Sequence, residues 1–210
     1  SPSQNAQRYF KKYRKAIVKR QKASEYITQF REELDYLDTV KVALSQAVSL
    51  EDLEEIETEL LHQGYIRQDK KKAKSTATKT PGHLEFRSSD GLTILVGKNN
   101  RQNDFLTMKR AKADDLWLHA KDMPGAHVII LTAGENVPED TLVEAAMLAA
   151  YFSKGKMSGK VPVDYTLRKH VRKPKGSKPG FVIYDHHSTI FVTPDEQKMR
   201  NLLSGQLNHT

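Results

Sequence analysis

The apolar residues at the start of the chain fall on one helical stripe, and that stripe limits what the chain can become. Phe10, Tyr13, Ile17, then Ile27, Phe30, Leu34, Leu37, Leu44 and Val48 mostly follow alternating steps of three and four, the spacing of a coiled-coil seam. Arg20, Ser24 and Lys41 occupy seam slots, and the phase slips by one residue between Ile27 and Phe30, where a bend or an interruption would fall. A continuous helix here would reach about 65 Å at 1.5 Å per residue. It cannot bury its stripe alone, so it needs a partner.

A second helix should open at "SLED", where Ser49 is placed to cap and Asp52 sits three residues on, as in a capping box. It would carry Leu50, Leu53, Ile56 and Leu60 inward and end at Gly64, a suitable residue just past a helix. That helix is too short to cover the first. The missing partner is expected upstream of Ser1, consistent with a chain that begins "SPSQNAQ" without methionine.

Residues 67–82 interleave lysines with serines and threonines and read as a basic flexible linker after a helical coiled-coil segment at 1–66. Residues 83–196 form the second domain, followed by a tail at 197–210 that reads as frayed helix. In the domain, "HLEFRSSDGLTILVG" reads as strand, turn, strand, and "NNRQNDFLTMKRA" as a short helix capped by Asn99 or Asn100. "PEDTLVEAAMLAAYF" is a strong helix with Pro138 near its start and Leu142, Ala145, Ala146, Ala149 and Phe152 on one side. "VPVDYTL", "FVIYD" and "TIFVT" read as three more strands. Hairpin turns recur between them, so the expected fold class is α+β: a helical coiled-coil segment, then a mixed, largely antiparallel sheet with two main helices.

Charge narrows the partners. The net +8 over 210 residues is unevenly spread. Ser1 to Ser24 carries eight bases and no acid, Glu25 to Tyr65 eleven acids against two bases, and Lys154 to Lys178 nine bases against one acid. Such clustering is the footprint of a polyanion binder, against the bland alternative of solvated charge runs. The chain has no cysteine, which excludes disulfides and thiolate metal sites and fits the cytoplasm. No apolar run approaches the ~18 residues of a membrane span, so no membrane insertion is expected.

The stretch "DLWLHAKDMPGAHVII" (115–130) holds the only tryptophan and two of the eight histidines. On a strand, Trp117 and His119 would share one face. Pro124-Gly125 marks a turn, and pairing of the flanking strands would bring His127 near His119. Trp117 can be core or a π-face for a base. Asn99, Asn100, Asn103 and Asp104 exceed what one cap needs, so polar contacts to RNA and a structural network both remain open. The histidines match no helical metal motif, "HVRKPKGSKPG" lacks the strand–loop–helix context of a phosphate-binding P-loop, and Ser153 and Ser158 have no GxSxG elbow. No metal, no cofactor and no enzymatic activity are expected.

"GLTILVGKNNRQNDFLTMKRAKADDLWLHAKDMPGAHVII", "AAMLAAYFS", "VDYT", "VRKPKGSKPGFVIY" and "IFVTP", in this order, closely resemble the RNA-binding domain of the NFACT proteins. "NAQRYFKKYRKA" and "LEEIETELLHQGYI" resemble the coiled-coil middle region of the same family and its closing helix. The resemblance implies a role in rescue of obstructed large ribosomal subunits, with tRNA recruited so that the stalled chain gains a C-terminal alanine tail. The family binds; the ribosome makes the bond. The implied partners are large-subunit RNA and tRNA, with a ribosomal protein as a further partner for the helical segment. The family's amino-terminal domain, with its tRNA-handling Asp-Arg pair, and its helix-hairpin-helix domain are absent, so this fragment alone should not support tailing. Positions assigned to RNA on this basis are Lys98, Asn99, Asn100, Asn103, Trp117, His119, Lys121 and His127. Lys154, Lys156, Lys160, Arg168, Lys169, Arg172, Lys173, Lys175 and Lys178 are assigned to phosphates. Some family members bind host fibronectin at the cell surface without a signal peptide, which makes an anchorless adhesin the rival reading.

Overall fold

The computed structural model describes residues 1–67 and 82–195, together with Met199 and Leu202. Most of the expected linker and of the tail lies outside the described residues. Two compact units are present, Ser1–Asp38 and Thr39–Thr210.

Helix α1 (Pro2–Gln46) is uninterrupted. The phase slip near Ile27 does not break it, because Ala, Lys, Arg, Glu and Gln fill the intervening positions and sustain a helix without help from the seam. Its stripe stays in solvent: Phe10, Tyr13 and Phe30 are each more than half exposed. Helix α2 (Leu50–His62) has the expected capping box, in which the Ser49 hydroxyl accepts from Asp52 N and the Asp52 carboxylate accepts from Ser49 N. Gly64 follows it with φ +78°.

The inward face of α2 differs from the expectation. Asp52, Ile56 and Glu59 are buried, whereas Leu50 and Leu53 are exposed. Leu60 is half-buried. Cationic and amide partners on the inward side hold the carboxylates, so the face of α2 that carries them packs inward.

The domain is built on a six-stranded, wholly antiparallel sheet in the order β1-β2-β4-β3-β5-β8. Its strands are β1 (Leu84–Arg87), β2 (Thr93–Gly97), β3 (Leu116–Ala120), β4 (His127–Leu131), β5 (Val161–Leu167) and β8 (Ser188–Val192). A separate two-stranded ribbon joins β6 (Val171–Arg172) to β7 (Ile183–Tyr184). "FVIYD" therefore contributes only two residues of strand, outside the main sheet. The free edge of β5 is already taken by β8, and Phe181 and Ile183 point to solvent rather than to a core.

Period-two alternation distributes the strands' side chains over two cores. On one face Ile94, Val96, Leu118, Val128, Ile130 and Val163 pack with helix α4 (Glu139–Tyr151), whose buried residues include Ala145, Ala146, Ala149 and Ala150 with Met147 and Leu148 among them. Small side chains let this helix approach the sheet closely. On the other face Leu95, Trp117 and Ile129 pack with Leu106 and Val171. Leu106 opens a π-turn (Leu106–Arg110) that extends helix α3 (Asn100–Phe105), capped by Asn99. The Trp117 face therefore carries α3 and the ribbon. No helix of the described residues is long and apolar enough to cross a membrane.

Candidate nucleic-acid interface

Three groups of side chains make up the candidate site, the first two of them on the Trp117 side of the sheet. The first lies where β2 turns into α3. Lys98 Nζ donates to both carboxylate oxygens of Asp52, at 2.6 and 2.7 Å. Asn99 Nδ2 and Gln102 Nε2 both donate to Glu55 Oε2 at 2.7 Å. Asn100 Nδ2 donates to Glu59 Oε1 and to Thr39 Oγ1, each at 2.8 Å. Asn103 faces the strands instead: its Oδ1 accepts from His127 N at 2.9 Å, and its Nδ2 donates to the Gly125 carbonyl. Gly97 is required there, because a Cβ would overlap the Asn103 side chain and backbone. The asparagines left open between RNA contacts and a structural network thus form a network. It is a cradle that holds α2 by its acids.

Asp52 sits in this cradle with its carboxyl below the ordinary value. Burial pushes it up, but the Lys98 ammonium and the amides of Val48 and Ser49 outweigh burial. Gln102 and the three acids were not among the residues assigned from sequence. The signal was present: Asp52, Glu55 and Glu59 stand at helical spacing on one face of a helix already inferred.

The second group is an aromatic and histidine cluster. Trp117 is fully buried. His119 stacks on it with centroids 5.7 Å apart and planes 17° apart, and His127 meets it edge-on at 5.2 Å. Tyr184 of the ribbon lies 4.8 Å from it. The β3–β4 register brings the two histidine rings to 5.3 Å, as the hairpin reading expected. Thr107 Oγ1 and His127 Nδ1 share a 2.8 Å hydrogen bond. Burial holds His119 down at about 4, only partly offset by a backbone hydrogen bond to Gly125 and the Asp164 charge. Burial, then the neighbouring His119, keep His127 well below the usual imidazole value. Both rings are neutral at physiological pH, so they present polar aromatic surfaces rather than cations.

Asp164 closes this cluster. It is almost wholly buried and accepts from Tyr184 Oη at 2.9 Å and from the Thr189 hydroxyl. Lys121 lies 3.4 Å from it and His187 3.8 Å. Burial raises its pKa, but the hydroxyls of Thr189 and Tyr184 and the Lys121 charge hold it below normal. The same burial and the same carboxylate push the Tyr184 phenol upward.

The third group is basic. Lys154, Lys156 and Lys160 are exposed on the turn after α4. Lys156 Nζ sits 3.9 Å over the Tyr151 ring and Lys160 Nζ 4.7 Å over Phe191. Lys169, Arg172 and Lys175 are exposed around the ribbon, with Lys169 3.6 Å from Asp114 and Arg172 2.5 Å from Asp185. The remaining three are anchored. Arg168 Nε donates to the Thr107 carbonyl at 2.6 Å, Lys173 pairs with Asp104, and Lys178 Nζ donates to Tyr65 Oη at 3.2 Å. Gly180, at φ +78°, closes the ribbon loop against Asn100, where any Cβ would collide with the amide.

Of the seventeen residues assigned to RNA, the structure therefore exposes Lys154, Lys156, Lys160, Lys169, Arg172 and Lys175, and half-buries His119, Lys121, Arg168, Lys173 and Lys178. Asn99, Asn100, Asn103, Trp117 and His127 are buried, and Lys98 is occupied by Asp52.

Residues 83–185 match the family profile of the NFACT protein RNA binding domain. That places the sheet, its cradle and its basic ribbon in the class of RNA-binding domains. Residues 1–79 match the NFACT N-terminal and middle domains, and the chain belongs to the NFACT family. Over 196 residues, 93% of this chain and 34% of the relative, it is 50% identical to the Rqc2 homolog RqcH of Bacillus subtilis. Identity to the Rqc2 homolog RqcH of Streptococcus pneumoniae is 44% over 208 residues, 96% of this chain and 36% of that protein. The chain thus spans about a third of the length of these relatives. The C-terminal structure of the fibronectin/fibrinogen-binding protein from Streptococcus suis superposes with a TM-score of 0.86 at 42% identity, covering 96% of this chain and 80% of that one.

Proposed function

We propose that this chain is the RNA- and ribosome-binding part of a ribosome quality control factor. In this reading it helps recruit tRNA to obstructed large subunits, so that a stalled nascent chain receives a C-terminal alanine tail. The chain binds and positions; it catalyses nothing, and the ribosome makes the peptide bond. Its place is the cytoplasm, on the ribosome. The observation that carries the reading is the match of residues 83–185 to an RNA binding domain, in a chain half identical to a ribosome quality control homologue.

The exposed lysines supply the physical means. Lys156, Lys160 and Lys175 present exposed ammonium groups that phosphates reach without disturbing the fold. The apolar stripe of α1 gives a second surface, suited to a ribosomal protein or to a helix from elsewhere in the full protein.

The test is a salt titration against tRNA and purified large subunits, with immobilised fibronectin in parallel. Neutralising about six phosphates gives a log–log slope near −4 for single strands and near −5 for duplex. Salt-steep binding to RNA supports the proposal. Fibronectin binding without RNA affinity would mean that the activity retained here is adhesion.

A further inference from the structure

The ribbon that carries the basic loop is gathered at its base by three potential metal ligands. His170 ends a 3₁₀ turn (Arg168–His170) that leads into β6, and Asp185 and His186 leave β7 directly opposite. Asp185 N donates to the His170 carbonyl at 3.3 Å, which fixes the two chain segments side by side. His170 Nδ1 lies 3.5 Å from Asp185 Oδ1, and His186 Nε2 lies 3.9 Å from the same oxygen. One donor atom from each of the three residues falls within 4.8 Å of the other two. The imidazole rings are 4.7 Å apart and inclined at 60°, so they converge rather than stack.

We propose that His170, Asp185 and His186 bind one divalent transition-metal ion of the zinc type. Metal–ligand bonds of about 2.0–2.2 Å in a tetrahedral site require donors about 3.4 Å apart. His170 and Asp185 already meet that spacing. His186, the most exposed of the three, closes the rest by rotating its side chain. Its backbone lies at φ +51°.

The carboxylate is divided between two tasks. Arg172 Nη2 holds Oδ2 at 2.5 Å, leaving Oδ1 to face the histidines. An outer partner of this kind orients a metal-ligating carboxylate. Two imidazoles and one carboxylate select zinc, cobalt, nickel or copper over magnesium and calcium, which prefer all-oxygen shells. Three protein ligands leave an open position for water or for a phosphate oxygen. Because the ligands come from both ends of the ribbon, the ion ties the base of the loop that bears Lys173, Lys175 and Lys178. It would brace that loop and add positive charge beside it. The proposal is independent of which polyanion the loop meets.

Isothermal titration of the untagged chain with zinc chloride tests it, with cobalt absorption reporting the geometry. One equivalent should bind, and magnesium should not compete. His170→Ala and His186→Asn should each weaken binding at least about tenfold, Asn being chosen because it tolerates a positive φ. Together they should abolish binding, whereas His62→Ala should leave it unchanged. Ring-proton NMR of the unmodified chain reads the same site without mutation: zinc should shift the His170 and His186 signals first. No stoichiometric binding, binding that survives the double substitution, or shifts confined to other histidines would overturn the assignment.

Discussion

Lys98 and Asp52 are joined by a forked ion pair, one ammonium on both carboxylate oxygens, with only 12% and 10% of their side chains exposed. It ties helix α2 to the mouth of α3, and it turns what reads in sequence as a polar RNA-contacting motif into an internal joint. Lys98→Ala leaves Asp52 largely buried and unpaired, so it should lower stability by about 3 kcal/mol. The double variant Lys98→Ala, Asp52→Ala should cost less than the two single changes added together. Urea unfolding in a double-mutant cycle measures this, and full additivity would show that the pair holds nothing.

The two histidines packed against Trp117 predict a loss of stability in mild acid. Both are held neutral by burial, His119 at about 4 against an unfolded value near 6.5. A depressed folded pKa means that the unfolded chain takes up the proton first. The stabilisation is complete above pH 6.5 and is lost as pH falls toward 4. For His119 alone the loss is on the order of 2 kcal/mol. Thermal melts from pH 7 to pH 4.5 should fall steeply, and His119→Phe, which keeps the stack but cannot ionise, should flatten the slope.

Trp117 is both the centre of one core and a reporter on it. Its emission should be that of a buried indole and should shift red on unfolding. Trp117→Ala should cost about 3–5 kcal/mol, measured by denaturant unfolding followed by circular dichroism. RNA affinity should fall in proportion to the folded fraction and no further, since the ring is inaccessible. A larger loss at full folding would show that the ring reaches a base.

Glycine positions separate by what surrounds them. A methyl group at Gly97 meets Asn103 side chain and backbone, whereas one at Gly159 meets nothing within 4 Å. Gly97→Ala should destabilise by about 2 kcal/mol or more and Gly159→Ala by less than about 0.5. Chemical denaturation of both variants compares them directly.

Charge reversal at the exposed and the anchored lysines should have different consequences. Lys156→Glu, Lys160→Glu and Lys175→Glu together should weaken tRNA binding and reduce the salt slope by about 2, with little change in melting temperature. Lys173→Glu should lower the melting temperature as well, because it sets two carboxylates against each other at Asp104. Binding and melting measured on the same samples separate the two effects.

Local patterns were legible where one residue's neighbours along the chain decide its state. The capping box at Ser49 and Asp52, the hairpin through Pro124-Gly125, the alanine face of α4 and the cap at Asn99 all depend on spacing within a few residues. The sharing of a sheet face by Trp117 and His119 follows from the two-residue repeat, and their meeting with His127 follows from the turn. The order of the motifs from Gly91 to Pro194 was enough to reach the family.

The destination of the polar residues was a different matter. Nothing local to "KNNRQ" tells whether its lysine and amides face solvent, RNA or protein. The answer lay 41 to 47 residues away, in three carboxylates on α2. Sequence thus determined most of the elements and the charge runs, because these arise from periodicity and composition. Tertiary structure alone decided which lysines are exposed and which are anchored, that Leu50 and Leu53 of α2 face water while Asp52 and Glu59 face inward, and that His170 and His186 lie beside Asp185. A charge has no preferred neighbour until the fold brings one within 3 Å, and burial then makes that pairing compulsory.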